Sequence, residues 1–264
     1  MNLKKTVAAL LAVLMVGAAA AGCGKTKKPI LVAEKESAGE RVAQNEESLK
    51  GYEYVAVQDQ ASALMEVKAG TADAAIIDYV MTIGSIGEGT DYADLTVEGD
   101  GYAPESYGIA FRKGSDAAAK VNEAIKKLVA DGTVKTIAEK YKLQDLITAT
   151  DPTDPFVQSE TDSDWAYIQE KGKLVVGITY FAPMCYMENG ELTGFETEFI
   201  KAVCKEIGVE PVFQEISWDG KLLELQGKNI DCIWNGMTIT DEIKENTTVS
   251  VAYMNNKQVK VVKK

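Results

Sequence analysis

Histidine is absent from all 264 residues, which removes Ser-His-Asp and Cys-His nucleophilic catalysis and most zinc chemistry. Positive charge is scarce: 28 Lys and Arg stand against 40 Asp and Glu, for a formal net charge of −12. A chain without a basic footprint cannot neutralise phosphates, so nucleic acid is excluded as a partner. The 4 cysteines follow no metal-ligand spacing, and neither metal nor cofactor is expected. The longest apolar run, Val7 to Ala21, falls short of the roughly 20 residues that span a bilayer. What remains is ordinary for a folded chain, 26% charged and 46% hydrophobic. The length suits one large domain or two lobes of about 100 residues each.

The first residues read as an export signal. Lys4 and Lys5 precede the apolar run, which ends in Ala20-Ala21-Gly22-Cys23. That ending resembles a bacterial lipobox, which implies cleavage before Cys23 and lipidation of its thiol. Residues 1–22 are then a lipoprotein signal peptide and 23–29 a tether, and the mature chain sits on the outer face of the cytoplasmic membrane. With Cys23 committed to lipid, Cys185, Cys204 and Cys232 are read as buried free thiols.

Beyond the tether, strands and helices alternate, the pattern of an α/β fold with parallel crossovers. Ile30 to Ala33, Tyr52 to Val57, Ala74 to Ile77 and Tyr107 to Phe111 read as strands. Ser37-Ala38-Gly39-Glu40 has the spacing of a capping box and opens a helix. Helices are expected at Ser115–Ala130 and Thr133–Tyr141. From Gln144 to Asp164 the composition turns to Thr, Asp, Ser and Pro, including Pro152 and Pro155, which marks a linker. A second α/β block follows. It holds a short helix at Trp165–Glu170 and strands at Leu174–Ile178, Pro211–Glu215, Ile230–Trp234 and Gln258–Val262. It also has a hairpin turn at Glu188-Asn189-Gly190-Glu191 and helices at Phe195–Ile207 and Trp218–Gln226.

Five segments resemble the solute-binding proteins of polar amino-acid ABC importers. They are Lys173–Ile178; Leu192-Thr193-Gly194-Phe195-Glu196; Ile230 to Thr240, with its Gly236-Met237-Thr238-Ile239-Thr240; Gly70 to Asp78; and Tyr107 to Gly114. In that family the segments equivalent to 165–264 come first, whereas here they follow those equivalent to 30–142. The resemblance therefore implies a two-lobed, type II periplasmic-binding-protein-like fold in circularly permuted order. Lobe 2 is expected at 30–107, the C-terminal part of lobe 1 at 108–143, the linker at 144–164 and the N-terminal part of lobe 1 at 165–264. One covalent crossover, near Pro104 to Gly108, would remain.

The resemblance also implies a site. Phe181 and Trp218 would cover the ligand side chain, with Tyr180 a fallback for Phe181. Asn235, Gly236, Met237 and Thr238 would meet the ligand's ammonium and carboxylate groups. Asp78 would pair with the α-ammonium, and Ser37 and Ala38 would offer helix N-terminal N–H groups to the carboxylate. Two positions depart from the pattern: Ile243 stands where the family has a carboxylate-binding arginine, and Glu36 where it has a glycine. With Glu34 nearby, the departures favour a basic amino acid or an amine. The implied function is capture of an amino acid by a monomeric lipoprotein that hands it to an ABC permease, without catalysis. A sensor or scavenger of the same fold, and a carboxylate-based enzyme, are the alternatives.

Overall fold

A computed structural model describes residues 27–102, 104–148 and 164–264. The expected signal segment, Cys23 and most of the expected linker lie outside the described residues. Within them the order is β1 (Ile30–Glu34), α1 (Ala38–Asn45), β2 (Glu53–Val57), α2 (Gln60–Ala69), β3 (Ala74–Asp78), α3 (Tyr79–Thr82), β4 (Leu95–Glu98), β5 (Pro104–Tyr107) and β6 (Ala110–Arg112). Next come α4 (Ala117–Ala130), α5 (Thr133–Lys140), α6 (Asp164–Lys171), β7 (Lys173–Ile178), β8 (Tyr186–Glu188), β9 (Glu191–Thr193) and α7 (Phe195–Ile207). The chain ends with β10 (Glu210–Glu215), α8 (Lys221–Gln226), β11 (Cys232–Ile233), α9 (Asp241–Asn246), β12 (Thr247–Val249) and β13 (Met254–Lys263).

The apolar strands sort into two sheets. The first runs β2-β1-β3-β13-β4, with β5 also paired to β13; the second runs β10-β7-β11-β6-β12. Every residue of β3 is buried, as expected of a central strand covered on both faces. Local signals act as read. The Ser37 hydroxyl accepts from the Glu40 N–H at 3.1 Å and caps α1, while the Glu40 carboxylate reaches back to the Glu36 N–H at 2.6 Å. The turn between β8 and β9 places both Asn189 and Gly190 at positive φ, 52° and 83°, the requirement of a two-residue hairpin. Cys185, Cys204 and Cys232 are buried and free.

The largest departure from the expected division concerns β13. Expected within lobe 1, it pairs antiparallel with β3, β4 and β5 and so belongs to the first sheet. An apolar strand is equally satisfied in either sheet, so its hydrophobicity could not place it. The chain therefore crosses between the sheets twice, at β5–β6 and at β12–β13, instead of once. Each sheet holds strands from both sides of the linker: β6 lies between β11 and β12, and β13 between β3 and β4.

Side chains knit the same halves. The Arg112 guanidinium contacts Asp164 at 2.8 Å and Asp231 at 3.2 Å, both carboxylates almost fully buried. Asp231 also takes the Val175 N–H and the Lys171 ammonium, which satisfies a buried charge that would otherwise be costly. Tyr107 and Tyr253, at the two crossings, pack with Trp234, Phe199 and Phe195 of the second sheet's side in tilted or edge contact.

Candidate functional site

Between the carboxyl ends of β1 and β3 on one side and of β7 and β11 on the other lies a narrow cavity. A crevice beyond strand carboxyl ends is where open α/β sheets receive ligands. Its wall includes Ser37, Ala38 and Asp78 from the side of the first sheet and Phe181, Trp218, Asn235, Gly236 and Thr238 from the side of the second. Met237, grouped with them on sequence, instead lines an adjoining cavity with Ile243, Glu36 and Arg41. The reason is packing: Met237 and Ile243 are buried in the apolar cluster under Trp218. Tyr180 and Phe181 both reach the first cavity, but Phe181 is buried and Tyr180 is 44% exposed.

Several groups are already committed within the protein. The Asn235 amide accepts from the Thr179 N–H at 2.9 Å and donates to the Thr179 carbonyl at 3.1 Å, tying the end of β7 to β11. The Gly236 N–H donates to the Glu196 carboxylate at 2.8 Å, and Glu196 also accepts from the Tyr253 hydroxyl. Burial pushes the Glu196 carboxyl up to about 7 although both donors oppose the shift. Gly236 itself is pressed on Phe181; a Cβ there would sit 2.6 Å from the ring. No hydrogen bond among the described residues uses the Thr238 hydroxyl or N–H. The first N–H groups of α1, at Ala38 and Gly39, have no intrahelical acceptor. Thr238 and the start of α1 thus face the cavity with donors to spare.

Asp78, at the end of β3, is enclosed by amides. Gln60, Asn256 and Gln258 all donate to its carboxylate, the last at 2.7 Å. Asn256 and Gln258 donate to Glu105 as well. Burial first, and then the Asp78 charge, raise the Glu105 carboxyl to about 8. Glu34, at the end of the neighbouring strand, is also raised to about 8, by burial and then by the charges of Asp78 and Asp59. Glu34, Gln60 and Thr179 line the cavity. Of these, Glu34 was legible as an acid close to Ser37, whereas Gln60 and Thr179 carried no signal that separates them from cap and surface residues.

The two walls are held together across the cleft by one loop, Ser217 to Lys221. Lys35 pairs with Asp219 at 2.9 Å and Gln58 donates to Ser217 at 3.0 Å. The buried Lys221 ammonium donates to the Glu36 carbonyl across the cleft and to the Trp218 carbonyl, each at 3.1 Å. Its charge lies 4.8 Å from the Trp218 ring centroid. Glu36 sits at φ 57°, the left-handed region that glycine enters without cost. That backbone explains a glycine preference at this position.

Comparison with known proteins converges on part of the chain. Residues 174–264 match the family of bacterial extracellular solute-binding proteins, family 3. That segment supplies the second wall of the cavity. Among curated relatives, an L-cystine-binding protein of Escherichia coli is 39% identical over 88 residues, 33% of each chain. A probable amino-acid-binding protein of Bacillus subtilis is 41% identical over 73 residues, 27% of this chain and 28% of its own. An arginine-binding extracellular protein of Bacillus subtilis is 32% identical over 95 residues, 36% of this chain and 37% of its own. The chain thus spans about a third of the length of the curated relatives it matches. A solved arginine-bound protein aligns over 32% of this chain and 36% of its own at 31% identity, with a TM-score of 0.31. No helix among the described residues is long and apolar enough to cross a membrane, and no metal-holding cluster occurs among them.

Proposed function

We propose that the chain is an extracytoplasmic solute-binding protein, anchored by a lipid on Cys23, that captures an amino acid or related amine between two lobes and delivers it to an ABC permease. The observation that carries this reading is the cavity itself: segments distant in sequence converge on it with one carboxylate end (Asp78), one helix N-terminus (Ser37, Ala38) and two aromatic walls (Phe181, Trp218). An α-amino acid presents the complementary groups. The names of the relatives, which give cystine and arginine as ligands, agree with an amino-acid ligand. No reaction is needed, and hinge motion at the two crossings between sheets would suffice for capture and release.

The segment order is part of the same proposal. Leu31 of β1 and Val262 of β13 both pair with Ala74 of β3, so they lie two strand spacings apart, about 10 Å. A few residues would join β13 directly to β1, and this supports reading the chain as a working circular permutant. A thermal-shift screen over amino acids, amines and short peptides tests the function. Stabilisation by an amino acid or amine, lost in Asp78→Asn, is the expected result. Stabilisation by none of them would overturn the reading.

A further inference from the structure

The cavity wall contains two carboxylates, Glu34 and Asp78, and no Lys or Arg. They stand on adjacent parallel strands, since β1 and β3 pair directly. Their surroundings differ. Asp78 is held by three amide donors, whereas Glu34 is 4% exposed and its Oε1 has no hydrogen-bond partner. An unpartnered buried carboxylate oxygen carries a desolvation penalty that the native structure normally offsets with a donor. The neighbours facing Glu34 leave that oxygen bare: the Gln60 amide reaches the carboxylate but also serves Asp78, Asp59 and Asp78 repel its charge, and the Lys221 ammonium, though close enough to attract it, is spent on the Glu36 and Trp218 carbonyls.

We propose that Glu34 is a ligand-binding residue and that the cavity takes a solute with two cationic groups, one for Asp78 and one for Glu34. The inference rests on the amino-acid-binding reading and narrows its substrate class. One α-ammonium balances one of the two carboxylates, and a ligand carboxylate would be met by the start of α1 and by Thr238. A second cation on the ligand would give Glu34 a partner for its charged form. Basic amino acids and aliphatic diamines share this chemistry. Glu34, protonated in the empty cavity near neutral pH, would ionise on meeting the cation and release its proton.

The test is calorimetry of wild type and Glu34→Gln with L-arginine, L-lysine and L-ornithine, the diamines agmatine and cadaverine, and the neutral analogues L-citrulline and L-norleucine. Wild type should bind a dicationic probe at least tenfold more tightly than its neutral analogue and release protons at pH 7. Glu34→Gln should bring that ratio close to one while the neutral analogue's affinity stays within about threefold. Amino acids binding better than the diamines would assign the start of α1 a carboxylate; equal binding would assign it none, and both support two cationic contacts. Preference for the neutral analogue, or equal losses for both ligand types in the variant, would overturn the inference while the amino-acid reading stands. Binding of nothing in the panel would overturn both.

Discussion

Three buried carboxyls set the pH behaviour of the folded chain. Glu34 and Glu105 are pushed up to about 8 and Glu196 to about 7, in each case chiefly by burial. Folded-state values above the ordinary 4.5 mean that the folded chain binds more protons than the unfolded one across that interval. Stability is therefore greatest at the acid end and declines as pH rises through about 7 to 8. Thermal melts should give a lower Tm at about pH 9 than at about pH 6, with a shallower decline in Glu105→Gln. A Tm that climbs over this range would contradict the assignment of these groups as buried and protonated. Of these acids Glu34 alone was singled out in the sequence, and the partners of none were visible. Asn256 and Gln258 lie about 180 residues from Asp78 and reach it only because β13 is laid beside β3.

Elements that carry their own punctuation were legible before the fold was seen. Phe195 to Ile207 forms the expected helix, its apolar residues at i, i+4 spacing turned to the core. The Ser37 cap and the Asn189-Gly190 turn are equally local signals. Where the outcome depends on distant partners, the reading failed or blurred. The apolar stretch from Tyr107 to Phe111 is two short strands in different sheets, β5 and β6, because the crossing occurs within it. Trp218 to Gln226 is a single turn of tight helix and then α8, divided at Gly220. One glycine holds an element in place. Gly194 precedes α7 at φ 118°, and a Cβ there would lie 2.3 Å from the Met184 carbonyl oxygen. Both the backbone strain and the backbone clash act against any side chain, so Gly194→Ala should lower unfolding free energy by about 2 kcal/mol or more in urea titration. A loss below about 0.5 kcal/mol would mean that α7 and the Met184 loop can separate freely.

At the scale of the whole molecule, each side of the linker completes the other. β6 fills the second sheet, β13 fills the first, and Arg112 anchors to Asp164 and Asp231. A chain reordered so that residues 164–264 lead, a short linker joins Lys264 to Lys28, and the end falls near Leu146 would keep every one of these contacts. Only loop-closure entropy differs, and it changes slowly with loop length. The two forms should melt within several degrees of each other and share a ligand. A reordered chain that folds and binds, beside a present order that does not, would contradict the reading of a working permutant. Eight of the nine candidate residues named from sequence line one cavity, so their convergence was legible in outline. Its closure was not, since Lys35–Asp219 and Lys221–Glu36 are pairings that only the folded lobes create.

The central claim is that two lobes together form one binding site, and titration calorimetry with substitutions on either wall tests it most directly. With the tightest-binding amino acid or amine from the screen, the account predicts one site per chain. Asp78→Asn on the first wall and Thr238→Val on the second should each weaken binding at least fivefold while far-UV circular dichroism stays unchanged. Saturable binding that ignores the loss of either wall would contradict it.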